Sequence, residues 1–554
     1  MNIHGGRLVA CVLKNENVSH LFTLCGGHIA SIYDGCIDEE IKIIDTRHEQ
    51  AAAHAADAYA RLTRGIGVAA VTAGPGVTDA VTAVANAYYA NSPLLLLGGA
   101  APLEQQGRGA LQELEQVALL KPITKYSIAI HQTERIPELL TQAIRIALTG
   151  KPGPVFVEIP FDILIQFVDE DNIKFPKQYR STSRAYGDLA QIARAAELLA
   201  NAQHPVVLAG TQVYWDDASN VLRTFVEKFN LPVFPNGMGR GTIPMNHPNC
   251  LPLGRGAALK GADVVLSLGV PMDFRMRYGD FGDETKLIQV DVDAAEIGRN
   301  RAVDVGIVGN ARAVIDQLSD ALDGTTTRVR PYDAWLAFLQ GVQEEKHTAQ
   351  AEWENSNEIP IHQLRLAHEL NKILDDDTIV IADGGDVVGL AAKVLTITKP
   401  GQWLDPGPLG CLGVGLPFAL AAQVLYPNKK VIVLNGDGSF GLNGMEFDTA
   451  ARFNLPIVTV IGNDGQWGEI RLPQIALMGE ERAVATQLAP KAQYEKIADA
   501  FGGYGECVTE PNEIVPAIQR AFANAHSASK PSIVNVMIDP QGVTKADAVR
   551  AYVL

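Results

Sequence analysis

Residues 431–464 read "VIVLNGDGSFGLNGMEFDTAARFNLPIVTVIGND" and contain two short apolar runs, each of which ends in polar residues. The first run ends in Gly436-Asp437-Gly438, and the second, "LPIVTVIG", ends in Asn463-Asp464. In open α/β sheets, ligands lie beyond the carboxyl ends of parallel strands, so the ends of neighbouring strands meet at one place. The stretch therefore predicts two parallel strands that bring Asp437 and Asn463 together.

The residue types at these strand ends indicate a site for a cation and a phosphate. Carboxylate and amide oxygens suit a hard cation such as Mg²⁺, which usually keeps water and phosphate oxygens among its ligands. Gly436 and Gly438 allow close approach of the backbone, and a helix predicted to begin near residues 444–446 would point its N-terminus at the anion. Alternatively, each Gly- and Asp-rich motif is only a turn. The paired position at two strand ends favours a diphosphate–Mg²⁺ site.

The same alternation of apolar runs and helix-period segments extends along all 554 residues. This alternation is typical of parallel α/β sheets, and the length exceeds what one hydrophobic core supports. We predict an α/β fold of three doubly wound parallel-sheet domains, at residues 1–180, 185–330 and 355–554. The polar segment "KFPKQYRSTSRAYGD" reads as a linker between the first two.

The composition excludes several classes of function. A formal net charge of −17 argues against a general nucleic-acid or anionic membrane surface. The six cysteines have no C-x-x-C spacing, which argues against a zinc site and against a disulfide framework. The sequence has no secretory signal pattern and no apolar stretch long enough to span a membrane. We expect a cytoplasmic protein that binds neither membranes nor nucleic acid.

The spacing of the opening motif resembles that of the thiamine-diphosphate-dependent enzymes. Their signature is Gly-Asp-Gly, some two dozen residues, and then Asn-Asn; here Gly436-Asp437-Gly438 is followed after twenty-four residues by Asn463, with Gly462 in place of the first asparagine. The resemblance implies bound thiamine diphosphate, with Mg²⁺ held by Asp437, Asn463 and the backbone carbonyl of Gly465. It also implies that the three domains are a pyrimidine-binding, a central and a diphosphate-binding domain.

The first domain extends the resemblance in "IIDTRHEQAAAHAADAYARLTRG", residues 43–65. Glu49 follows a predicted strand and begins an Ala-rich helix, where family members have the carboxylate that hydrogen-bonds the cofactor's aminopyrimidine ring. In an apolar setting such a carboxyl can share a proton with the ring and so assist removal of the thiazolium C2 proton. The alternative is that Glu49 only stabilises the helix dipole.

The remaining cofactor residues are implied by the same resemblance. Leu412 matches the bulky residue that supports the bent form of the cofactor, although it reads equally as a core leucine. The other positions contact the aminopyrimidine or the diphosphate in relatives: Gly384, Gly385, Asp386, Gly410, Gly436, Gly438 and Ser439.

Two further residues bear on which reaction the site performs. His28 follows two glycines after a predicted strand, so its imidazole is expected near the thiazolium, although a lone histidine is more often structural. Together with Gln112 in "GALQELEQ", it resembles benzaldehyde lyase and the acetolactate-synthase-like 2-hydroxyacyl-CoA lyases. We expect His28 to handle a proton and Gln112 to position oxygen atoms by hydrogen bonds.

The central domain resembles that of CoA-using relatives, in which ADP or the ADP portion of CoA binds. Arg255 matches an arginine that contacts phosphate, Arg275 is a second candidate or a surface ion-pair partner, and Asp291 is placed to accept from a ribose hydroxyl. The C-terminal tail ends near Tyr552, and in CoA-using relatives this segment covers the cleft. Residues 545 and 550, a lysine and an arginine, are candidates to contact CoA phosphates.

The leading hypothesis is a reversible cleavage of 2-hydroxyacyl-CoA to formyl-CoA and an aldehyde or ketone. The first alternative is a carboligase of the benzaldehyde lyase or acetolactate synthase type, acting on free aldehydes or 2-oxo acids; authentic acetolactate synthases carry FAD. The second is a noncatalytic nucleotide-binding or assembly subunit. The resemblance also implies a homodimer or homotetramer whose active sites lie at the subunit interface.

Overall fold

A computed structural model describes residues 2–323 and 332–542 of the chain. The described residues form three sheets in which every strand pairing is parallel, and one short antiparallel pair. Helices cover the sheets, so the predicted α/β fold class with three parallel-sheet units is confirmed. The exact domain limits stay a prediction.

The first sheet has the strand order β3-β2-β4-β5-β7-β6, and β1 pairs with β8 apart from it. Its inner strands β2, β4, β5 and β7 are buried, largely apolar runs, as parallel strands covered on both faces require, and the edge strands β3 and β6 are partly exposed. The strands are β1 (Asn2–His4), β2 (His20–Thr23), β3 (Lys42–Asp45), β4 (Gly67–Val71), β5 (Leu94–Ala100), β6 (Tyr126–Ala129), β7 (Val155–Pro160) and β8 (Phe167–Asp169). The helices are α1 (Gly5–Asn15), α2 (Ala30–Asp38), α3 (Glu49–Thr63), α4 (Pro75–Tyr89), α5 (Gln116–Leu120), α6 (Ile136–Leu148) and α7 (Phe161–Ile165).

The second sheet has the order β10-β9-β11-β12-β13. Its strands are β9 (Pro205–Ala209), β10 (Val233–Pro235), β11 (Val264–Leu268), β12 (Lys286–Asp291) and β13 (Val305–Val308). Its helices are α8 (Leu189–Asn201), α9 (Thr211–Trp215), α10 (Ser219–Phe229), α11 (Arg255–Gly261) and α12 (Ala311–Asp323), followed by the long α13 (Asp333–Glu354). One apolar core holds these elements together.

The third sheet has the order β15-β14-β16-β17-β19-β18. Its strands are β14 (Ile379–Asp383), β15 (Trp403–Leu404), β16 (Val431–Gly436), β17 (Val458–Asn463), β18 (Tyr504–Val508) and β19 (Ser532–Met537). Its helices are α14 (Gln363–Asn371), α15 (Asp386–Val394), α16 (Gly415–Leu425), α17 (Asp437–Asn443), α18 (Glu446–Arg452), α19 (Gly468–Met478), α20 (Glu495–Ala500) and α21 (Ile514–Ala528).

The first and third sheets share one apolar core, in which α3 packs against α16. The small alanines of α3 favour helix and allow this close packing. Arg61 of α3 is buried, pairs with Asp57 at 2.7 Å and donates to the Asp405 carbonyl oxygen at 2.7 Å. The pair with Asp57 compensates the buried charge within α3, and the hydrogen bond to Asp405 ties α3 to the segment after β15.

The strand order reverses between β2 and β4 in the first sheet, between β9 and β11 in the second and between β14 and β16 in the third. Ligands of doubly wound sheets bind outside the carboxyl ends of the strands at such points. The segments after these strands carry most of the residues that the sequence predicts for the site. In the part of the chain that the structure describes, no helix is long and apolar enough to cross a membrane.

Candidate active site

The third sheet forms a cavity of about 250 Å³ at the ends of β14 and β16. Nine of the predicted cofactor residues line it: Gly384, Gly385, Asp386, Gly410, Leu412, Gly436, Asp437, Gly438 and Ser439. Asn463 and Gly465 are not among the lining residues, but their neighbours Gly462 and Asp464 are. The space beside the Gly410 Cα is empty, because a Cβ atom added there would have no neighbour within 4 Å. The cavity thus gathers residues from four separate segments.

The helix that follows β16 begins at Asp437 and was not predicted, whereas the helix predicted to begin near residues 444–446 is the next one along the chain. The chain passes from strand to helix without an intervening turn, because β16 ends at Gly436 and the helix begins at the next residue. The Ser439 hydroxyl donates to the carbonyl oxygen of Gly436 at 3.0 Å and to that of Asp383 at 2.7 Å. A second helix, α18, begins at Glu446. Asp437 therefore lies in the first turn of a helix at the strand end.

The predicted metal ligands lie close together. Asp437 is buried, and its carboxylate accepts from the Gly465 backbone N–H at 3.0 Å. Asn463 donates through its Nδ2 to the carbonyl of Ala492, while its Oδ1 is buried without any hydrogen-bond partner among the described residues. The Gly465 carbonyl accepts from Leu488 N–H and keeps a second lone pair. An orphaned amide oxygen near a buried carboxylate fits a hard cation.

The charge of the cavity supports the same reading. Four carboxyl groups line it, from Asp386, Asp437, Asp464 and Glu469, without any Lys, Arg or His among the lining residues. Burial raises the pKa of Asp437, and burial together with the Asp437 charge raises the pKa of Asp464. A diphosphate would be repelled here unless a cation accompanied it. The described residues include no group of three His, Cys, Asp or Glu side chains that could hold a metal ion. The predicted ligand set contains only one side chain of these types, that of Asp437, beside an asparagine and a backbone carbonyl.

Asp383, at the end of β14, anchors the segment that carries Gly410 and Leu412. Its buried carboxylate accepts from the backbone N–H groups of Gly413 at 3.1 Å and Gly415 at 2.8 Å. Burial raises the pKa of this carboxyl to about 6. Sequence reasoning missed Asp383, although its position as the last residue of a strand beside two glycines was a usable signal.

The first sheet brings together the three predicted catalytic residues. Thr72, just after β4, has its hydroxyl 3.0 Å from His28 Nδ1 and donates to Gln112 Oε1 at 3.4 Å. Glu49 begins α3 and is 8% exposed. It lies close to Gly76, since a Cβ atom added to that glycine would be 3.6 Å from the Glu49 Oε1. The same added atom would be 3.6 Å from the Cβ of Thr72. His28 and Gln112 therefore share one threonine that the sequence did not single out, and Glu49 lies nearby, next to Gly76.

Burial sets the protonation of two of these groups. It raises the pKa of the Glu49 carboxyl, which favours the neutral acid that can share a proton with a ring nitrogen. It lowers the pKa of His28, which favours the neutral imidazole that can accept a proton. The site can thus combine a proton-sharing acid with a general base.

Among the described residues, no residue of the first sheet lines the cavity of the third sheet. The cavity of the third sheet is lined only by residues between 363 and 538. Glu49 and His28 are not among its lining residues, and Gln112 lines a different cavity of about 450 Å³.

The second sheet contributes a larger cavity of about 680 Å³, which Asp291 lines together with residues of the first and third sheets. Asp291 accepts from Gln212 Nε2 at 2.6 Å, and burial raises its pKa to about 6. The positively charged residues that line this cavity were not predicted from the sequence, because they come from distant segments. They are Lys125, Lys151 and Arg299.

Arg255 and Arg275 do not line that cavity but lie near each other. Burial, Arg240 and Arg275 together lower the pKa of Arg255, and its guanidinium has no hydrogen bond or ion pair among the described residues. Arg275 pairs with Asp273 at 2.6 Å. Arg240, which the sequence did not single out, donates to the Ala392 carbonyl at 3.0 Å. Tyr552 and the two tail cations at 545 and 550 lie outside the described residues.

Comparison with known proteins gives matches along the chain. Residues 3–119 match the N-terminal TPP binding domain of thiamine pyrophosphate enzymes, residues 192–318 their central domain, and residues 383–536 their C-terminal TPP binding domain. An acetolactate synthase large subunit of Mycobacterium tuberculosis is 39% identical, with 97% of this chain and 96% of that protein covered. The 2-hydroxyacyl-CoA lyase 2 of Caenorhabditis elegans is 37% identical, with 97% and 89% covered. The human 2-hydroxyacyl-CoA lyase 1 is 32% identical, with 98% and 96% covered.

Proposed function

Because the chain belongs to the thiamine pyrophosphate (thiamine diphosphate) enzymes and is a carbon–carbon lyase of that family, we propose that its substrate is a 2-hydroxyacyl-CoA. The reaction is the reversible cleavage of the C1–C2 bond, which gives formyl-CoA and an aldehyde or ketone. The observation that carries this proposal is the cluster in which Thr72 contacts both His28 and Gln112 beside Glu49.

The residues around the third-sheet cavity fit the cofactor and its metal. Asp437, Asn463 and the Gly465 carbonyl would hold Mg²⁺, and Gly384, Gly385, Asp386, Gly436, Gly438 and Ser439 would surround the diphosphate. Glu49 would hold the aminopyrimidine, with Gly410 accepting from its amino group and Leu412 supporting its bend. When bound, thiamine diphosphate supplies a carbanion nucleophile and accommodates the electron pair that carbon–carbon cleavage releases.

His28 and Gln112 supply what the cleavage needs from the protein. As the C1–C2 bond breaks, the 2-hydroxyl of the substrate becomes a carbonyl and its proton must leave. The neutral imidazole of His28 accepts that proton, as a general base does. Gln112 is neither acid nor base, so its amide orients the substrate oxygen by a hydrogen bond. Both side chains contact the Thr72 hydroxyl.

The central domain would recognise the CoA part of the substrate. Arg255 is a half-buried cation that has no counter-ion among the described residues, and it lies near Arg240 and Arg275. A guanidinium group without a counter-ion suits a phosphate. The cavity that Asp291 lines combines carboxylates, cations and aromatic rings, which suits an adenine nucleotide such as ADP. Tyr552 would cover the CoA from the tail.

We also propose a homodimer or homotetramer in which each site combines Glu49 of one chain with Asp437 of another. The separation of the two half-sites within one chain supports this arrangement. A cytoplasmic location belongs to the same proposal, and it is supported by six cysteines that are all free thiols.

The second candidate is a carboligase on 2-oxo acids or free aldehydes. The 39% identity to an acetolactate synthase favours it. A noncatalytic subunit is disfavoured, because Glu49, Asp437 and Asn463 are all present.

Product analysis separates these candidates. The holoenzyme is incubated with a 2-hydroxyacyl-CoA, and in parallel with pyruvate, and the products are identified by mass spectrometry. We expect formyl-CoA and an aldehyde from the first incubation; acetolactate from the second without formyl-CoA from the first would contradict the proposal. Arg255→Ala should raise KM for acyl-CoA, whereas Arg223→Ala, which removes an exposed arginine paired with Glu227, should not.

A further inference from the structure

The segment between residues 106 and 115 has neither helix nor strand, and it is exposed along most of its length. It ends in the short helix α5, which begins at Gln116. Its backbone takes left-handed conformations at Gly107, Gly109 and Gln112, with φ of 73°, 74° and 60°. Because a non-glycine residue such as Gln112 rarely adopts that conformation, something must hold the segment in this shape.

The carboxylate of Glu113 holds the segment from within. One of its oxygens accepts from the Gly107 N–H, and the other accepts from Gly109 N–H at 3.0 Å and Ala110 N–H at 3.0 Å. Successive backbone N–H groups that converge in this way form a concave anion site. Here the anion is a side chain of the same loop.

The charge of Glu113 matches this role. Hydrogen bonds from the Gly107, Ala110 and Gly109 backbone hold the pKa of its carboxyl below the ordinary range of glutamate. The group is therefore a carboxylate under ordinary conditions, and ionised acceptors form the stronger hydrogen bonds.

Glu113 is adjacent to Gln112, whose position depends on the shape of the loop. The backbone of Gln112 packs against the segment after β4, since a Cβ on Gly74 would lie 2.7 Å from the Gln112 carbonyl oxygen. The Gln112 side chain reaches Thr72 from that position. A loop that relaxed would therefore move Gln112 away from Thr72 and His28.

The same loop forms one wall of the cavity of about 450 Å³ at Gln112. Gln106, Gly107, Glu113 and Leu114 line this wall, and Ala100 at the end of β5 lines another part. The shape of this space is thus set by a segment that three hydrogen bonds to one carboxylate keep folded.

We infer that Glu113 is a positioning residue: its carboxylate folds residues 107–113 into the wall of the cavity and thereby sets Gln112 for catalysis. This inference rests on the proposed function, because that function assigns Gln112 a place at the substrate. Glu113 acts through Gln112 and takes no part in activating the cofactor.

The test compares Glu113→Ala and Glu113→Gln with Glu115→Ala. Glu115 is a matched control, because it is exposed on the same segment and lines the same cavity but accepts none of these backbone hydrogen bonds. Amide hydrogen exchange over residues 106–113 of the holoenzyme reports the loop itself. We expect exchange at Gly107, Gly109 and Ala110 to become about 10-fold faster or more in Glu113→Ala and to stay unchanged in Glu115→Ala, because exchange follows local opening. Glu113→Gln, which keeps one acceptor oxygen, should lie between them.

Two kinetic readouts separate positioning from a general structural defect. Cleavage of 2-hydroxyacyl-CoA should lose on the order of 10- to 100-fold in kcat/KM in Glu113→Ala, as small misplacements of catalytic groups do. Exchange of the C2 proton of bound thiamine diphosphate should stay within about 2-fold of wild type, because it depends on Glu49.

The inference would be overturned if Glu113→Ala kept the wild-type rate of amide hydrogen exchange or the wild-type kcat/KM. It would also be overturned if C2 proton exchange fell by the same factor as kcat/KM. Absence of cleavage by the wild-type enzyme would overturn the proposed function instead, while amide exchange would still decide whether Glu113 folds the loop.

Discussion

At the scale of single residues, Glu49 combines burial with a place at the start of a helix, beside Gly76 and Thr72. Burial raises the pKa of its carboxyl, so it holds a proton more readily than an exposed glutamate does. That property is what proton sharing with the cofactor's aminopyrimidine requires.

Glu49→Gln should retain thiamine diphosphate and Mg²⁺ but lose turnover by roughly 10²- to 10⁴-fold, because an amide cannot exchange a proton with the ring. The measurements are cofactor affinity by calorimetry and the C2 proton exchange rate by NMR. A folded variant with near-normal turnover would show that Glu49 has another role.

His28 leads to a prediction about pH. Burial lowers the pKa of its imidazole below the ordinary 6.5, so the neutral form persists to more acid conditions than for an exposed histidine. Cleavage that needs neutral His28 should therefore hold steady near neutrality and fall only as the pH drops through this lowered pKa. The measurement is kcat/KM against pH for the wild type and for His28→Gln.

We expect His28→Gln to lose roughly 10²- to 10⁴-fold in rate and to lose that acid limb. If the variant keeps both the rate and the limb, another group accepts the proton.

The sequence identified residues by type and position but not by their partners. Glu49, His28 and Gln112 were predicted from three separate stretches; in the structure His28 and Gln112 both contact Thr72, and Glu49 lies nearby, next to Gly76. Thr72 itself follows an ordinary apolar strand, and its role depends on β2 and β4 being neighbours, which is information that no local pattern carries. The cavity cations Lys125 and Lys151 were missed for the same reason.

At the scale of elements, most of the candidate site residues were predicted from their positions at the ends of strands. The alternation of apolar runs and helices predicted parallel sheets, and the observed reversal between β14 and β16 lies where Gly384 and Asp437 meet. The helix directly after β16 was not predicted, because Gly-Asp-Gly reads locally as a turn, whereas α17 begins at Asp437 and the Ser439 hydroxyl donates to the Gly436 carbonyl. The next helix begins at Glu446, as predicted.

Asp437 in the first turn of α17 gives a prediction about the metal. Asp437→Ala should weaken Mg²⁺ and thiamine diphosphate together, by at least the roughly 10- to 100-fold typical of changes around a metal site. Calorimetry with and without Mg²⁺ measures both affinities. Removal of Mg²⁺ by a chelator should mimic the variant, and added Mg²⁺ should restore cofactor binding to the wild type.

Asp448→Ala is the matched control, because this acid lies on α18 and pairs with Arg452 away from the cavity. If the affinity for thiamine diphosphate is the same in Asp437→Ala as in the wild type, and the chelator also leaves it unchanged, Gly-Asp-Gly only shapes the start of the helix.

At the scale of the whole molecule, the shared core of the first and third sheets fixes two half-sites that line separate cavities. The three-sheet architecture could be predicted from the alternation of elements. How the sheets lie against one another could not, because it depends on contacts such as that of Arg61 with the Asp405 carbonyl, which joins distant segments.

The central claim is that one working site needs Glu49 from one chain and Asp437 from another. Subunit exchange between inactive Glu49→Gln and inactive Asp437→Ala chains tests it most directly, with each variant exchanged against itself as the control. In a mixed pair, one of the two sites would combine two unaltered halves, so random exchange should restore about one quarter of the wild-type sites. Recovery of lyase activity to about that level is the expected result; no recovery after verified exchange would contradict the claim and place the whole site within one chain.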